Sequence, residues 1–235
     1  MTDYVSLGFI PFESVLRDAE MGADALLLCS GGLDSAYCLY KYSKAAPNRK
    51  VNIHHVKLYP SLRKRHSVEE VCLQKQIQLA SVDVNLIKST VEICDKFNTL
   101  PMRDFFMAVV LSVGYAMRNK LKYIVVGDDI IDGFVRGAAS KADGDSNFLQ
   151  ELIGLKSFVD GLSHGKCQLS LSMSKTDVYS EYMSLPDQYL ATCFSCRDPR
   201  FVGEHVEACG TCIACNRNYM LGIKDKLCKR MRMPQ

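Results

Sequence analysis

Short apolar runs that stop at glycine or serine alternate along this chain with longer stretches in which apolar residues recur at helical spacing. Residues 25–29 (ALLLC) are the first such run. They end at Ser30-Gly31-Gly32, and a helical pattern follows from Asp34 into Lys44. Residues 50–59 (KVNIHHVKLY) read as a second strand, although two histidines interrupt its apolar pattern. After the basic stretch SLRKRH, residues 68–79 return to helical spacing. Residues 81–87 (SVDVNLI) alternate as a third strand. The strongest helix spans 102–119, where Phe105, Phe106, Val109, Val110, Val113 and Ala116 share one face. A fourth strand at 123–126 ends at Gly127, a fifth covers 167–173, and a helix runs from Lys175 towards Met183.

Strands separated by helices predict an α/β fold with a parallel sheet covered on both faces. Such sheets hold ligands at the carboxyl ends of their strands, beside the point where the strand order reverses. Residues 132–165 interrupt the alternation. They are rich in Gly, Asp, Ser and Lys, then helical around 148–158, and read as an inserted substrate loop or lid. The expected organisation is one α/β domain over 1–190 and a small cysteine-rich module over 191–235.

Composition fits this picture. A chain of 235 residues, 48% hydrophobic and 23% charged, is long enough to bury a full core. A formal charge of +3 does not point to a nucleic-acid partner. Neither a bilayer-length apolar run nor a basic head followed by an apolar segment is found, so a cytoplasmic protein with no membrane partner is expected.

The first strand–helix turn carries the chemistry. Paired glycines let the backbone turn sharply and aim several N–H groups at one anion, and the new helix adds its positive end. The turn lacks the GxxxxGK[ST] of a Walker loop. Ser30-Gly31-Gly32-Leu33-Asp34-Ser35 resembles instead the PP-loop signature SGGxDS. That resemblance implies binding of the β,γ-pyrophosphate of ATP, cleavage to AMP and pyrophosphate, and adenylation of a carbonyl, carboxyl or amide oxygen. Asp34 suits the side of a bound Mg²⁺ and Ser35 a hydroxyl contact, while a cation should reach the α-phosphate from elsewhere.

Eleven cysteines, with Cys193, Cys196, Cys209, Cys212 and Cys215 in one short stretch, favour a metal over disulfides. Thiolates two residues apart can curl around one tetrahedral ion, Zn²⁺ or an iron–sulfur cluster. The ferredoxin-type spacing is missing, which favours Zn²⁺ in a structural role. Cys193 and His205 compete for a place in the ligand set.

Together the two motifs resemble the 7-cyano-7-deazaguanine synthase (QueC) family of PP-loop ATP pyrophosphatases. Arg65-His66-x-x-Glu69 is similar to its QRHxxE, with Lys64 for Gln. Pro101 and Arg103 match its VPxRN, with Asp104 for Asn. Gly127 and Asp132 match the residues that close the fourth strand, and SKTDV is similar to TKxEI. The likeness runs from about Leu26 to Asn218. It implies a Rossmann-like, adenine nucleotide alpha hydrolase-like sheet with a C-terminal zinc module. It implies an ATP site of Cys29, Ser30, Gly31, Gly32, Leu33, Asp34, Ser35 and Gly127. Lys175, Asp34, Arg103 and Asp132 would be catalytic, and Arg65, His66 and Asp143 would meet the substrate. Cys196, Cys209, Cys212 and Cys215 would ligate zinc, because TCFSCRDP is similar to TWSCYDP and selects Cys196.

By the same resemblance the enzyme is an ATP-dependent C–N ligase. It would adenylate 7-carboxy-7-deazaguanine and use ammonia to form an amide and then a nitrile, as a homodimer with ATP, Mg²⁺ and Zn²⁺. One departure stands out. The family's YPDCR is KADGD here (141–145), so only Asp143 remains and an arginine has become an acid. A QueC-like ligase of antiphage defence, joining the deazaguanine to a protein amine, therefore stands beside the queuosine-pathway synthase. A tRNA-thiolating PP-loop enzyme is a third reading, with RKRH and KDKLCKRMRM as its basic face.

Overall fold

Two four-residue strands, β2 (Ala25–Leu28) and β5 (Tyr123–Val126), are buried at every position because helices cover both of their faces. The computed structural model describes residues 7–59, 63–92, 103–127, 144–171, 178–196 and 198–233. Around this pair lie β1 (Ile10–Pro11), β3 (Val51–Tyr59), β4 (Val84–Glu92) and β6 (Gln168–Leu171). The six strands form one parallel sheet in the order β1-β6-β5-β2-β3-β4. The α/β class and parallel sheet expected from the sequence are therefore present, with one edge strand, β1, that its pattern did not reveal.

Side chains alternate between two cores as the pleat requires. Ala25, Leu27 and Cys29 point to one face, with α1 (Phe12–Glu20), α2 (Leu33–Ala45), α6 (Val178–Met183) and α7 (Asp187–Leu190). Leu26 and Leu28 point to the other, with α4 (Arg103–Arg118) and α5 (Gly144–Ser163). Residues 144–163, the second half of the expected insert, are thus a crossover helix of the sheet, with Leu152, Leu155 and Val159 in that core. Residues 128–143 lie outside the described residues. On α4 the buried stripe is Val109, Ser112, Val113 and Ala116, whereas Phe106 is 40% exposed and leans on Phe158 of α5. Of the expected stripe, Val109, Val113 and Ala116 are buried and Val110 half-buried, with Ser112 joining them, and the Phe105 side chain lies outside the described residues.

Of the two histidines of β3, His54 is held by hydroxyls on both sides. His54 lies between Ser112 Oγ (2.7 Å from Nδ1) and Ser89 Oγ (2.8 Å from Nε2). Ser112 donates to the Ala108 carbonyl at 2.6 Å, so His54 Nδ1 carries the proton and Nε2 accepts from Ser89. Burial, with a smaller contribution from His55, holds the His54 pKa down at about 4 from 6.5. A histidine buried neutral stabilises the fold fully above its free pKa, and that contribution fades as pH falls towards the folded value. The unfolding free energy is accordingly expected to drop by roughly 2–3 kcal/mol through this group between pH 7 and pH 4. Urea titrations across that range should show the slope, and His54→Gln should flatten it. An equal slope in the variant would remove His54 as its source.

The remaining elements form a small antiparallel sheet of β7 (Arg200–Val202), β8 (His205–Glu207) and β9 (Arg230–Arg232), with α8 (Ile213–Met220) between β8 and β9. It packs on α3 (Arg63–Ala80). Val68 and Cys72 of α3 share a core with Phe194, Cys196, Val206 and Met231. Burying each of the large members of this cluster is worth about 1.5–3 kcal/mol.

Candidate nucleotide turn and metal centre

From β2 the chain steps outward to β3 and β4, then returns to β5 on the other side of β2. The carboxyl ends of β2 and β5 therefore flank the reversal, and residues 29–35 occupy it. Gly31 has φ +93°, a conformation open to glycine, and a Cβ there would lie 2.1 Å from the Glu69 carbonyl oxygen of α3. Gln76, also on α3 and fully buried, donates from Nε2 to the Gly31 carbonyl at 2.9 Å. The turn is braced internally as well. Ser30 N–H donates to Ser35 Oγ at 2.8 Å, the two hydroxyls lie 3.1 Å apart, and Gly32 N–H reaches Ser30 Oγ at 3.3 Å. Cys29 is buried, its carbonyl is 2.8 Å from His55 Nδ1, and burial raises its thiol pKa well above the ordinary value.

The helix that follows has Gly32 as its N-cap and no side-chain cap. First-turn N–H groups of a helix have no intrahelical acceptor, and the helix dipole adds partial positive charge there. A glycine turn pinned from behind, followed by a helix whose N-cap Gly32 supplies no side-chain acceptor, is suited to an anionic oxygen cluster.

Asp34 is the acid of this site, with a side chain 18% exposed. Gly127 at the end of β5 packs so closely that an added Cβ would lie 2.9 Å from Asp34 Cβ. Tyr182 of α6 donates its hydroxyl to Asp34 Oδ1, and Arg217 of α8 places Nη1 3.7 Å from Oδ2. Asp34→Asn keeps the shape and the Tyr182 contact but removes the charge. It is expected to weaken Mg·ATP binding at least about tenfold, a loss of ~1.4 kcal/mol, and to lower the melting temperature as well, because Arg217 stays buried without its carboxylate. Calorimetric titration of the variant with Mg·ATP gives the answer, and an unchanged affinity would remove Asp34 from the site.

The sulfurs of Cys196, Cys209, Cys212 and Cys215 all lie within 4.8 Å of one another and could hold a metal ion. Backbone donors surround them. Cys209 N–H points to Cys196 Sγ at 3.2 Å, and Thr211 and Cys212 N–H point to Cys209 Sγ at 3.4 and 3.3 Å. Gly210, at φ +78°, makes the turn that aims them. Burial pushes the Cys196 thiol up to about 11. Burial also acts upward on Cys209, but the Thr211 and Cys212 N–H groups outweigh it and bring that thiol to about 6. Sulfur is the donor set of zinc and of iron–sulfur clusters, and N–H donors directed at sulfur favour the thiolate that either requires.

The competition left open by spacing is decided by position. Cys193 is buried in the main core, donating to the Tyr189 carbonyl at 3.2 Å, and stands outside the cluster. His205 lies in β8, paired with Arg232, and is likewise outside it. Arg65 and His66 fall in the first turn of α3 and Arg103 opens α4, but their side chains, like Lys175, Asp132 and Asp143 altogether, lie outside the described residues.

Three residues at the turn escaped the sequence reading. Gln76, Tyr182 and Arg217 sit 45, 148 and 183 positions from their partners Gly31 or Asp34. A fourth, Ser195, accepts from Leu33 N–H at 3.4 Å. The only signal for any of them was Ser195, inside the quoted TCFSCRDP.

No model of a known protein family matches the chain, and no curated protein does. Among solved structures, the chain is similar to a U34-tRNA thiolase from Methanococcus maripaludis with its [4Fe–4S] cluster, with a TM-score of 0.48, 13% identity and 75% of this chain covered. The match spans 64% of the thiolase's length. It is also similar to an NMN synthetase from Francisella tularensis, at a TM-score of 0.34 and 14% identity over 66% of this chain and 70% of that one. Among the described residues no helix is long and apolar enough to cross a membrane.

Proposed function

We propose that the protein is an ATP-dependent C–N ligase of the PP-loop class acting on a 7-carboxy-7-deazaguanine. The observation that carries this reading is the SGGLDS turn at the strand-order reversal, combined with a four-sulfur cluster whose flanking residues touch it. In the proposed reaction a substrate carboxylate oxygen attacks the α-phosphorus of ATP. The bond from that phosphorus to the bridging oxygen breaks, and pyrophosphate leaves from the turn formed by Ser30 to Ser35. Ammonia then attacks the carbonyl carbon, loses a proton and expels AMP, giving the amide. The amide oxygen would then attack the α-phosphorus of a second ATP, releasing a second pyrophosphate, and loss of AMP and protons would give the nitrile. Mg²⁺ would offset charge on the triphosphate beside Asp34, and Lys175 would meet the α-phosphate. Arg103, Asp132, Arg65, His66 and Asp143 are proposed around the substrate, Zn²⁺ is proposed for the cluster, and a homodimer is proposed as the assembly.

A protein amine as acceptor is a second reading. It is favoured by the KADGD sequence at 141–145, where a charge reversal beside an anionic substrate should change what is recognised. The test is incubation with Mg·ATP and 7-carboxy-7-deazaguanine, with and without ammonium, followed by mass spectrometry of small molecules and protein. Free amide or nitrile supports the synthase, and a deazaguanine mass on a protein supports the conjugating ligase. No ATP cleavage under any of these conditions would overturn the substrate assignment. Visible absorbance from an iron–sulfur cluster would favour the thiolating class instead.

A further inference from the structure

The cysteine cluster and the nucleotide turn are joined at both ends of the cluster. On the entering side, Ser195 precedes the ligand Cys196 and takes the Leu33 N–H at 3.4 Å. On the leaving side, α8 starts directly after Cys212 and carries Cys215 in its first turn. Two residues further on is Arg217, only 4% exposed, with Nη1 3.7 Å from Asp34 Oδ2. Both contacts fall on the first turn of α2, where the nucleotide would bind.

A buried guanidinium is costly unless its carboxylate stays in reach. Arg217 keeps that reach while α8 is held in place, and the start of α8 is held by the cluster and its loop, where Asn216 Nδ2 also donates to the Thr211 carbonyl at 3.3 Å. Cys212 is its N-cap and provides no side-chain cap, while the Cys212 N–H is directed at Cys209 Sγ at 3.3 Å. A metal bound to all four sulfurs would therefore fix the helix start that aims Arg217, and Arg217 in turn fixes one oxygen of Asp34 while Tyr182 fixes the other.

We propose that Arg217 is a positioning residue for Asp34, and that metal in the four-cysteine cluster and Mg·ATP at the turn are thermodynamically linked through it. This rests on the reading that residues 30–35 bind a nucleoside triphosphate. Linkage is reciprocal: if the metal tightens the nucleotide, the nucleotide tightens the metal by the same factor. The cluster then does more than fold a loop. Loss of its metal weakens the ATP site by the same factor.

The experiment uses the full chain and zinc itself as the probe. Zinc affinity is measured by competition with a chromogenic chelator, with and without saturating Mg·ATP, in the wild type, Arg217→Gln and Arg217→Lys. Mg·ATP affinity is measured by calorimetry on the same zinc-loaded proteins. The expected result is that Mg·ATP tightens zinc at least about fivefold in the wild type. Arg217→Gln should keep one zinc, still bind Mg·ATP more weakly, and lose the tightening, with Arg217→Lys recovering part of it. A general stabilisation of the fold by any ligand would leave the tightening intact in Arg217→Gln, and that outcome overturns the proposal. So does a wild-type zinc affinity that Mg·ATP leaves unchanged although calorimetry shows it bound, a result that needs no variant to fold. Absence of Mg·ATP binding to the wild type would overturn the nucleotide reading itself, and this linkage with it.

Discussion

Gly31→Ala is expected to abolish Mg·ATP binding and to destabilise the fold. Two effects add at this position. An L-residue at φ +93° costs about 1–2 kcal/mol, because its Cβ crowds the following carbonyl. The same Cβ would lie 2.1 Å from the Glu69 carbonyl oxygen, which belongs to the backbone of α3 and has no rotamer to escape into. Either α3 moves away, breaking the Gln76 bond to the Gly31 carbonyl, or the turn flips and loses the bracing of Ser30 and Gly32 N–H by the Ser35 and Ser30 hydroxyls. Thermal unfolding and calorimetry with Mg·ATP read the two effects separately. A variant with wild-type affinity would mean that the turn is not the phosphate site, whatever happened to stability. Gly32→Ala is the informative contrast. Its nearest neighbours are the Ser30 and Ser195 hydroxyls at 3.4 and 3.7 Å, which are ordinary contacts, so it should be far milder.

Cys212→Ser is the second large effect. Among the described residues the nearby donors are otherwise engaged: Cys193 in the core, His205 in β8, and the Cys228 thiol with the Arg230 carbonyl at 3.4 Å. Metal content should fall from one per chain to a small fraction. Stability should fall with it by several kcal/mol, because structural zinc contributes on the order of 10 kcal/mol of apparent binding energy in small sites. The loss should be worst near the cluster, loosening β7, β8 and β9 and the contact of Phe194, Val206 and Met231 with α3. Hydrogen exchange would locate it. Metal affinity in the wild type should also fall as pH drops, because the ligands must give up protons to bind. Full metal occupancy in the variant would show that Cys212 is not a ligand.

The alternation of buried strands and helices was legible because it depends on neighbours in sequence. The run at 123–126 matches β5 residue for residue, and Ser30 to Ser35 lies between β2 and α2 as its glycines require. Short or late elements were not legible. β1 has two residues and owes its existence to pairing with Ser170 and Leu171 of β6, and β7 to β9 have three residues each. Such strands carry too few positions to show a period, and they form because a partner edge is already there. The strand expected at 81–87 starts only at Val84, since Ser81 adopts φ +53° in the turn after α3.

The sequence by itself determined the α/β class, the SGGLDS glycine turn and the cysteines available for a metal, since each is written in residue type and local spacing. The tertiary structure decided which four cysteines meet and placed Gln76 behind Gly31. It also brought Tyr182 and Arg217 to Asp34. Those contacts join residues tens to hundreds of positions apart, and only the packing of α3, α6 and α8 against one turn brings them within reach of each other.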